Sequence, residues 1–162
     1  MQPERAQTCS TIGDVKHDEL AEVYCSVART WAVIGERWTM LILRECFRGE
    51  RRYDHFRSKL GIGSNVLNDR LALLTAEGVL DRVPYQDNPT RHEYRLTTKG
   101  QDLYPVLLAV MAWGDTYTTD TPPLRLTHTP CGHPTDPTLT CAHCGQPVRW
   151  REMSAEYQPT AW

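Results

Sequence analysis

What this chain of 162 residues lacks narrows it before any motif is sought. No apolar run approaches the roughly 18 residues that a helix needs to cross a bilayer. The opening stretch, MQPERAQTCSTIGDVKHDEL, has no apolar centre of the kind a secretory signal requires, which implies a cytoplasmic address. There is not the length for two full domains; one ordinary domain and a small appendage fit. Nor is there an overall excess of positive charge, since the net value is -2. What is present is a 40% hydrophobic composition, enough for a packed core.

The missing basic excess is local rather than absent. Residues 29–100 hold 13 Lys and Arg against 9 Asp and Glu, a balance of +4, while residues 1–28 and 101–162 each carry -3. A positive centre between acidic flanks is the electrostatic footprint of a segment that meets a polyanion. The six cysteines also divide, into Cys9, Cys25 and Cys46 early and Cys131, Cys141 and Cys144 late. In a cytosolic chain they are not a disulfide framework.

Periodicity supplies the elements. Residues 1–18 are polar and aperiodic, a mobile arm. Val27, Trp31 and Ile34 recur at helical spacing, and Trp38, Leu41, Ile42 and Glu45 give a second buried helix ended by Gly49. Phe56 and Leu60 set a short third helix with Gly61 as C-cap. Ser64 is the expected N-cap of a fourth, Ser64–Glu77, in which Leu67, Leu71 and Leu74 face the core and Asn65, Asn68, Asp69 and Ala72 face away. Gly78 stops it. An extended Arg82–Tyr85 segment, a turn at Asp87-Asn88-Pro89 and a returning Glu93–Leu96 strand form a hairpin. Thr98 caps a long last helix with one apolar stripe through Leu103, Val106 or Leu107, Val110, Trp113 and Tyr117.

Helix, Gly-containing turn, helix and charged hairpin is the order of a winged helix-turn-helix. A recognition helix buries one face and presents short polar groups on the other, because those reach base edges in the major groove. Ser64, Asn65, Asn68 and Arg70 are the candidates on the fourth helix. Arg57 and Lys59, on the helix before it, suit phosphate contacts. Arg91, at the hairpin tip, is placed to enter the adjacent minor groove, where negative potential is focused. Singly, each of these is equally a solvated surface residue; the order and the charge division carry the reading. The plainer alternative is a winged helix that contacts protein.

The run CSVARTWAVIGERWTMLILRECFRGERRYDHF, then LNDRLALLTAEGVLDR and HEYRLTTKG, resembles the HxlR family of bacterial transcription regulators, relatives of the MarR group. Shared motifs are a Cys opening the first helix, Ile-Gly-x-x-Trp, Leu-Arg-Glu, Arg-Tyr-x-x-Phe and Glu-Tyr-x-Leu-Thr, over about residues 23–117. Ser26 stands where the family often has proline. The resemblance implies double-stranded DNA as partner, with a pseudo-palindromic operator read by a homodimer joined through its first and last helices. It further implies that a cysteine at position 25 can sense electrophiles or oxidants. The residues themselves add that Cys25 lies at a helix N-terminus, where unsatisfied N–H groups favour a thiolate, with Arg29 one turn later. A small buried hydrophobe is the competing reading of Cys25. Cys46 reads as core, and Cys9 as a thiol in the arm.

The tail holds a near-repeat. His128-Thr-Pro-Cys131-Gly parallels Cys141-Ala-His-Cys144-Gly, two ligand pairs each followed by the glycine of a tight turn. Two such knuckles supply His128, Cys131, Cys141 and Cys144, a Cys3His set for structural Zn2+, with His133 as the substitute for His128. About 40 residues build little core, so a metal staple suits the size. A knuckle without metal and a CxxC redox pair are the alternatives.

The expectation is therefore a mainly α fold with a small β-wing (α+β). The arm spans 1–18, the winged helix-turn-helix 19–118, a linker 119–123, and a small β-rich, Zn-stapled, zinc-ribbon-like tail 124–162. It is a DNA-binding regulator, acting as a repressor under a thiol or small-molecule signal, rather than an enzyme. A zinc-ribbon adaptor that docks on protein is the alternative, and a thiol oxidoreductase using Cys141 and Cys144 a weaker third.

Overall fold

The computed structural model describes residues 17–156. Most of the expected arm, Cys9 included, lies outside them; His17 and Asp18 open a 3-10 helix, His17–Glu22. The chain divides into two compact units, residues 17–102 and Leu103–Glu156, so the last core helix is grouped with the tail.

In the first unit, α1 (Ser26–Ile34), α2 (Thr39–Phe47), α3 (Tyr53–Leu60) and α4 (Ser64–Ala76) precede strands β1 (Leu80–Asp87) and β2 (Thr90–Leu96) and a short α5 (Thr98–Gln101). This is a helix-turn-helix followed by an antiparallel wing. Its core is Ile42 and Leu43 of α2, Phe56 of α3, Ile62 of the turn, and Leu67, Leu71 and Leu74 of α4, continued by Val79 and Leu80. The leucine stripe expected of α4 is in place. In α1 the expectation holds only in part: Ile34 is buried with Ala28, but Val27 is 73% exposed and Trp31 52%.

The turn between α3 and α4 is built from the backbone. Gly61 adopts a left-handed conformation (φ 63°) and its N–H donates to Arg57 O, which closes α3. The N-cap of α4 is Gly63, not Ser64. Gly63 O accepts the first helical bond, from Leu67 N at 3.0 Å, so Ser64 is already inside the helix and its hydroxyl makes no cap. The Tyr53 hydroxyl donates to Ser64 O (3.2 Å) and ties the two helices together.

The wing pairs Leu80 with Leu96, Arg82 with Tyr94 and Pro84 with His92, then shifts register so that Gln86 faces Arg91. An isolated bridge between Arg52 and Glu93 adds the α2–α3 connection to its edge. Beyond the wing, the cap is supplied by Thr97 rather than Thr98: its Oγ1 accepts from Gly100 N (3.0 Å) and donates to Gly78 O (2.7 Å). At Gly100 a Cβ would lie 2.2 Å from Val79 O, so this close crossing admits only glycine.

The expected single last helix is two. α5 stops at Gln101, and α6 (Tyr104–Tyr117) starts afresh, because Pro105 has no N–H to donate to the Gln101 carbonyl. No residue of α6 is buried; Val110, Trp113 and Tyr117 are 52%, 61% and 72% exposed. The tail has less strand than its sequence suggests: β3 (Thr127–His128), β4 (His133–Pro134) and one bridge, Thr140 to Pro147. With no buried side chain between 121 and 156, nothing packs on longer strands.

Phe56 sits at the crossing of α3 with the rest of this core, edge-on to Tyr94 of the wing at 6.5 Å. Phe56→Ala is expected to cost about 3–5 kcal/mol of folding stability, read as a fall in the urea midpoint at unchanged slope.

Candidate nucleic-acid interface

With the leucines inward, the outward face of α4 follows by rotation. Asn65 and Asn68 are exposed on it, with Asp69 and Ala72. A carboxamide in that position offers one donor and one acceptor, the pair that matches adenine's major-groove edge. Ser64 and Arg70 sit differently. Ser64 is half-buried, and Arg70 is half-buried at the margin of the leucine stripe, its Nε enclosed and without a hydrogen-bond partner.

The two basic residues expected on α3 are unequal. Arg57 is exposed and makes no ion pair among the described residues. Lys59 is ion-paired with Glu50, whose other oxygen lies 2.9 Å from His55 Nδ1. Lys59, and secondarily His55, hold the Glu50 carboxyl below the ordinary carboxylate range. That pairing offsets the charge Lys59 could offer a phosphate.

Between α4 and the wing lies an open groove of about 560 Å³, and Asn68, Arg91, Arg82 and Arg52 all line it. The fold thus brings Asn68 and Arg91 together, which the sequence placed only on separate elements. Arg91 is exposed as the second residue of β2, paired with Gln86 one position in from the Asp87–Thr90 pair that closes the turn, rather than at the tip itself. Asn65, Arg57 and Lys59 are outside this groove. Arg52 and Arg82 were not anticipated. Arg82 shares a face with His92 through the β1–β2 register, which the period of either strand alone does not fix; nothing local marked Arg52, which arrives from another connection.

Cys25 is the N-cap of α1, in extended backbone and half-buried. Arg29, one turn on, donates from Nε to Val23 O (3.0 Å), and its guanidinium carbon lies 5.5 Å from the centroid of the Tyr24 ring. Cys46 is a core residue, as expected, and burial pushes its thiol up to about 12.

In the tail each knuckle assembles its own pair. His128 Nδ1 lies 3.3 Å from Cys131 Sγ. The backbone N–H groups of Cys144 and His143, with the Cys144 thiol, hold the Cys141 thiol below its ordinary range. Gly132 and Gly145 both take positive φ, 72° and 70°, and their N–H groups donate to His128 O and Cys141 O at 2.8 Å each. His133 faces His128 across the β3–β4 pair. Among the described residues, no group of three or more His, Cys, Asp or Glu is gathered to hold a metal, so the four expected ligands stand as two pairs.

Comparison with known proteins places this geometry. An HxlR-like helix-turn-helix family matches residues 33–122. A protein of Mycobacterium tuberculosis named as an HTH-type transcriptional regulator is 43% identical over 150 residues, covering 91% of this chain and 93% of its own. That alignment necessarily takes in most of the tail, which the family match does not. A solved structure titled as a transcription factor superposes with a TM-score of 0.78 at 34% identity, over 88% of this chain and 100% of that one. The oxidised form of the redox regulator HypR superposes at 0.54 with 31% identity, over 59% of this chain and 99% of its own.

Proposed function

The chain belongs to the HxlR-like helix-turn-helix family, whose named relatives are transcriptional regulators, and on that premise we propose a homodimeric repressor of a pseudo-palindromic operator. DNA binding follows from the family. The observation that carries the residue assignment is the convergence of Asn68 on α4 and Arg91 on the wing at one groove. Asn65 and Asn68 read base edges, Arg91 enters the minor groove, and Arg57 contacts phosphate. Ser64, Arg70 and Lys59 are assigned smaller parts, since the first two are half-buried and Lys59 is paired with Glu50.

The apolar surfaces left uncovered on α1 (Val27, Trp31) and α6 (Val110, Trp113, Tyr117) support dimerisation through the first and last helices. Burying them against a second copy removes apolar area from water at about 25 cal/mol per Å². Cys25, beside that surface of α1, is the proposed control point for an oxidant or electrophile. Its half-buried place at the helix N-terminus supports this, as does the likeness to HypR.

For the tail we propose one Zn2+ held by His128, Cys131, Cys141 and Cys144. The donor set suits zinc, and both knuckle glycines already hold the positive φ such turns need. The metal would supply a structural cross-link where no core does.

Three measurements check these roles. On a duplex covering the protein's own upstream region, Asn68→Ala and Arg91→Ala should each weaken binding by about 1–3 kcal/mol; unchanged titrations would dismiss the assignment. Mild oxidant should abolish wild-type DNA binding and spare Cys25→Ser, while an equal response in both would exclude Cys25 as the switch. Metal analysis should find zinc near one per chain, lost in Cys141→Ser/Cys144→Ser; a metal-free protein with a protease-resistant tail would contradict the staple.

A further inference from the structure

Among the described residues, five of the thirteen basic side chains of the first unit are ion-paired within it, Lys99 with Glu77 among them. Lys59 pairs with Glu50, Arg95 with Glu93, and Arg44 and Arg48 share the buried Glu45. Arg52 and Arg82 are held differently. Among the described residues neither has a carboxylate partner: Arg52 lies over a tyrosine ring and Arg82 meets a histidine ring nitrogen. The Arg52 guanidinium lies 4.7 Å from the centroid of Tyr85, and Arg82 Nη2 lies 3.1 Å from His92 Nδ1. A carboxylate would occupy the donors and offset the charge. The Tyr85 face orients the Arg52 guanidinium and leaves its N–H edge open, while the contact with His92 takes one of the five N–H donors of Arg82 and carries no counter-carboxylate.

The wing carries a specific device for this. Strict alternation would put Tyr85 on the face opposite Arg82. The register passes from Pro84–His92 to Gln86–Arg91, so Tyr85 is the extra residue of a β-bulge. A bulge re-aims a side chain, and here the Tyr85 ring joins Arg82, His92 and Tyr94 on the groove side, where it meets Arg52. Asp54 is the acidic residue of the groove lining and pairs with neither arginine. Two oriented, unneutralised guanidinium groups beside Asn68 match a chain of phosphodiesters, whose oxygens accept such donors in pairs.

We propose that Arg52 and Arg82 form a seat for the DNA phosphodiester backbone beside the bases met by Asn68, with Tyr85 and His92 as positioning residues. This rests on the DNA-binding reading and assigns its main phosphate grip to the groove rather than to Lys59.

Phosphate contacts are independent of sequence, so the test needs no operator. The full-length protein is titrated by fluorescence anisotropy into a random-sequence duplex of about 30 base pairs over a range of salt. Arg52→Ala and Arg82→Ala should each weaken binding about tenfold at low salt and flatten the log–log salt slope by about one phosphate per chain. Tyr85→Ala should weaken binding as Arg52→Ala does, and Tyr85→Phe, which keeps the ring, should restore it. Lys59→Ala, which removes a charge already paired with Glu50, should flatten the slope less than either arginine variant. Matching circular dichroism and thermal midpoints show that each variant is folded. Wild-type binding with unaltered slopes in both arginine variants overturns the seat and leaves the DNA-binding reading standing. Tyr85→Phe as weak as Tyr85→Ala overturns the positioning role of the ring. A wild-type protein with no salt-dependent affinity for the duplex overturns both seat and reading.

Discussion

The rotational setting of α4 governs what this protein can present to a partner. Leu67, Leu71 and Leu74 are buried to within 1% of completely and share one core with Ile42, Leu43 and Phe56. Turning the helix by one position would expose a leucine and bury an asparagine without a partner, each costing kilocalories. The helix is also held at both ends. Tyr53 bonds the Ser64 carbonyl at the start, and Lys99 Nζ donates to Glu77 O at 2.6 Å at the finish. Thr97 bonds the Gly78 carbonyl close by. The start of α5, just past the strand that returns from the wing, therefore fastens the end of the helix beside which the wing stands.

Charge acts here through arrangement more than through amount. The molecule is slightly acidic overall, and its basic centre carries only a small excess. Within that centre, carboxylates engage Lys59, Arg95, Arg44, Arg48 and Lys99, which withdraws these five in part from an external anion. The cations that line the groove beside α4 are arginines, whose planar forks keep their geometry when stacked. Screening over about 8–10 Å at physiological salt means that nearby, unpaired charges dominate over the net value.

The second unit is built on another principle. α6 buries none of its residues, and the tail beyond it has no core, so both depend on something beyond their own packing. A second copy for the helix and a metal for the knuckles are the proposals that meet those two needs. Each addresses a specific deficit: uncovered aromatic surface in one case, too few apolar contacts in the other.

Much of this was legible in advance. The 3.6-residue spacing of leucines located α4 and its outward asparagines, Gly61 marked the turn, and the local charge balance fell on the segment that folds as the helix-turn-helix and wing. Position-by-position motifs indicated the family. These signals are short-range or compositional, and a linear chain carries them intact. What stayed hidden depends on backbone bonds between distant residues. Gly63 displaced Ser64 as cap, and Pro105 split the last helix, through single missing or redirected N–H groups. A one-residue register shift turned Tyr85 to the other face of the wing, and a strand-edge bridge carried Arg52 from the α2–α3 connection into the same groove. Periodicity could name the residues that face outward from each element; which outward faces meet was settled by pairing and packing across the fold, because those interactions have no fixed separation along the chain.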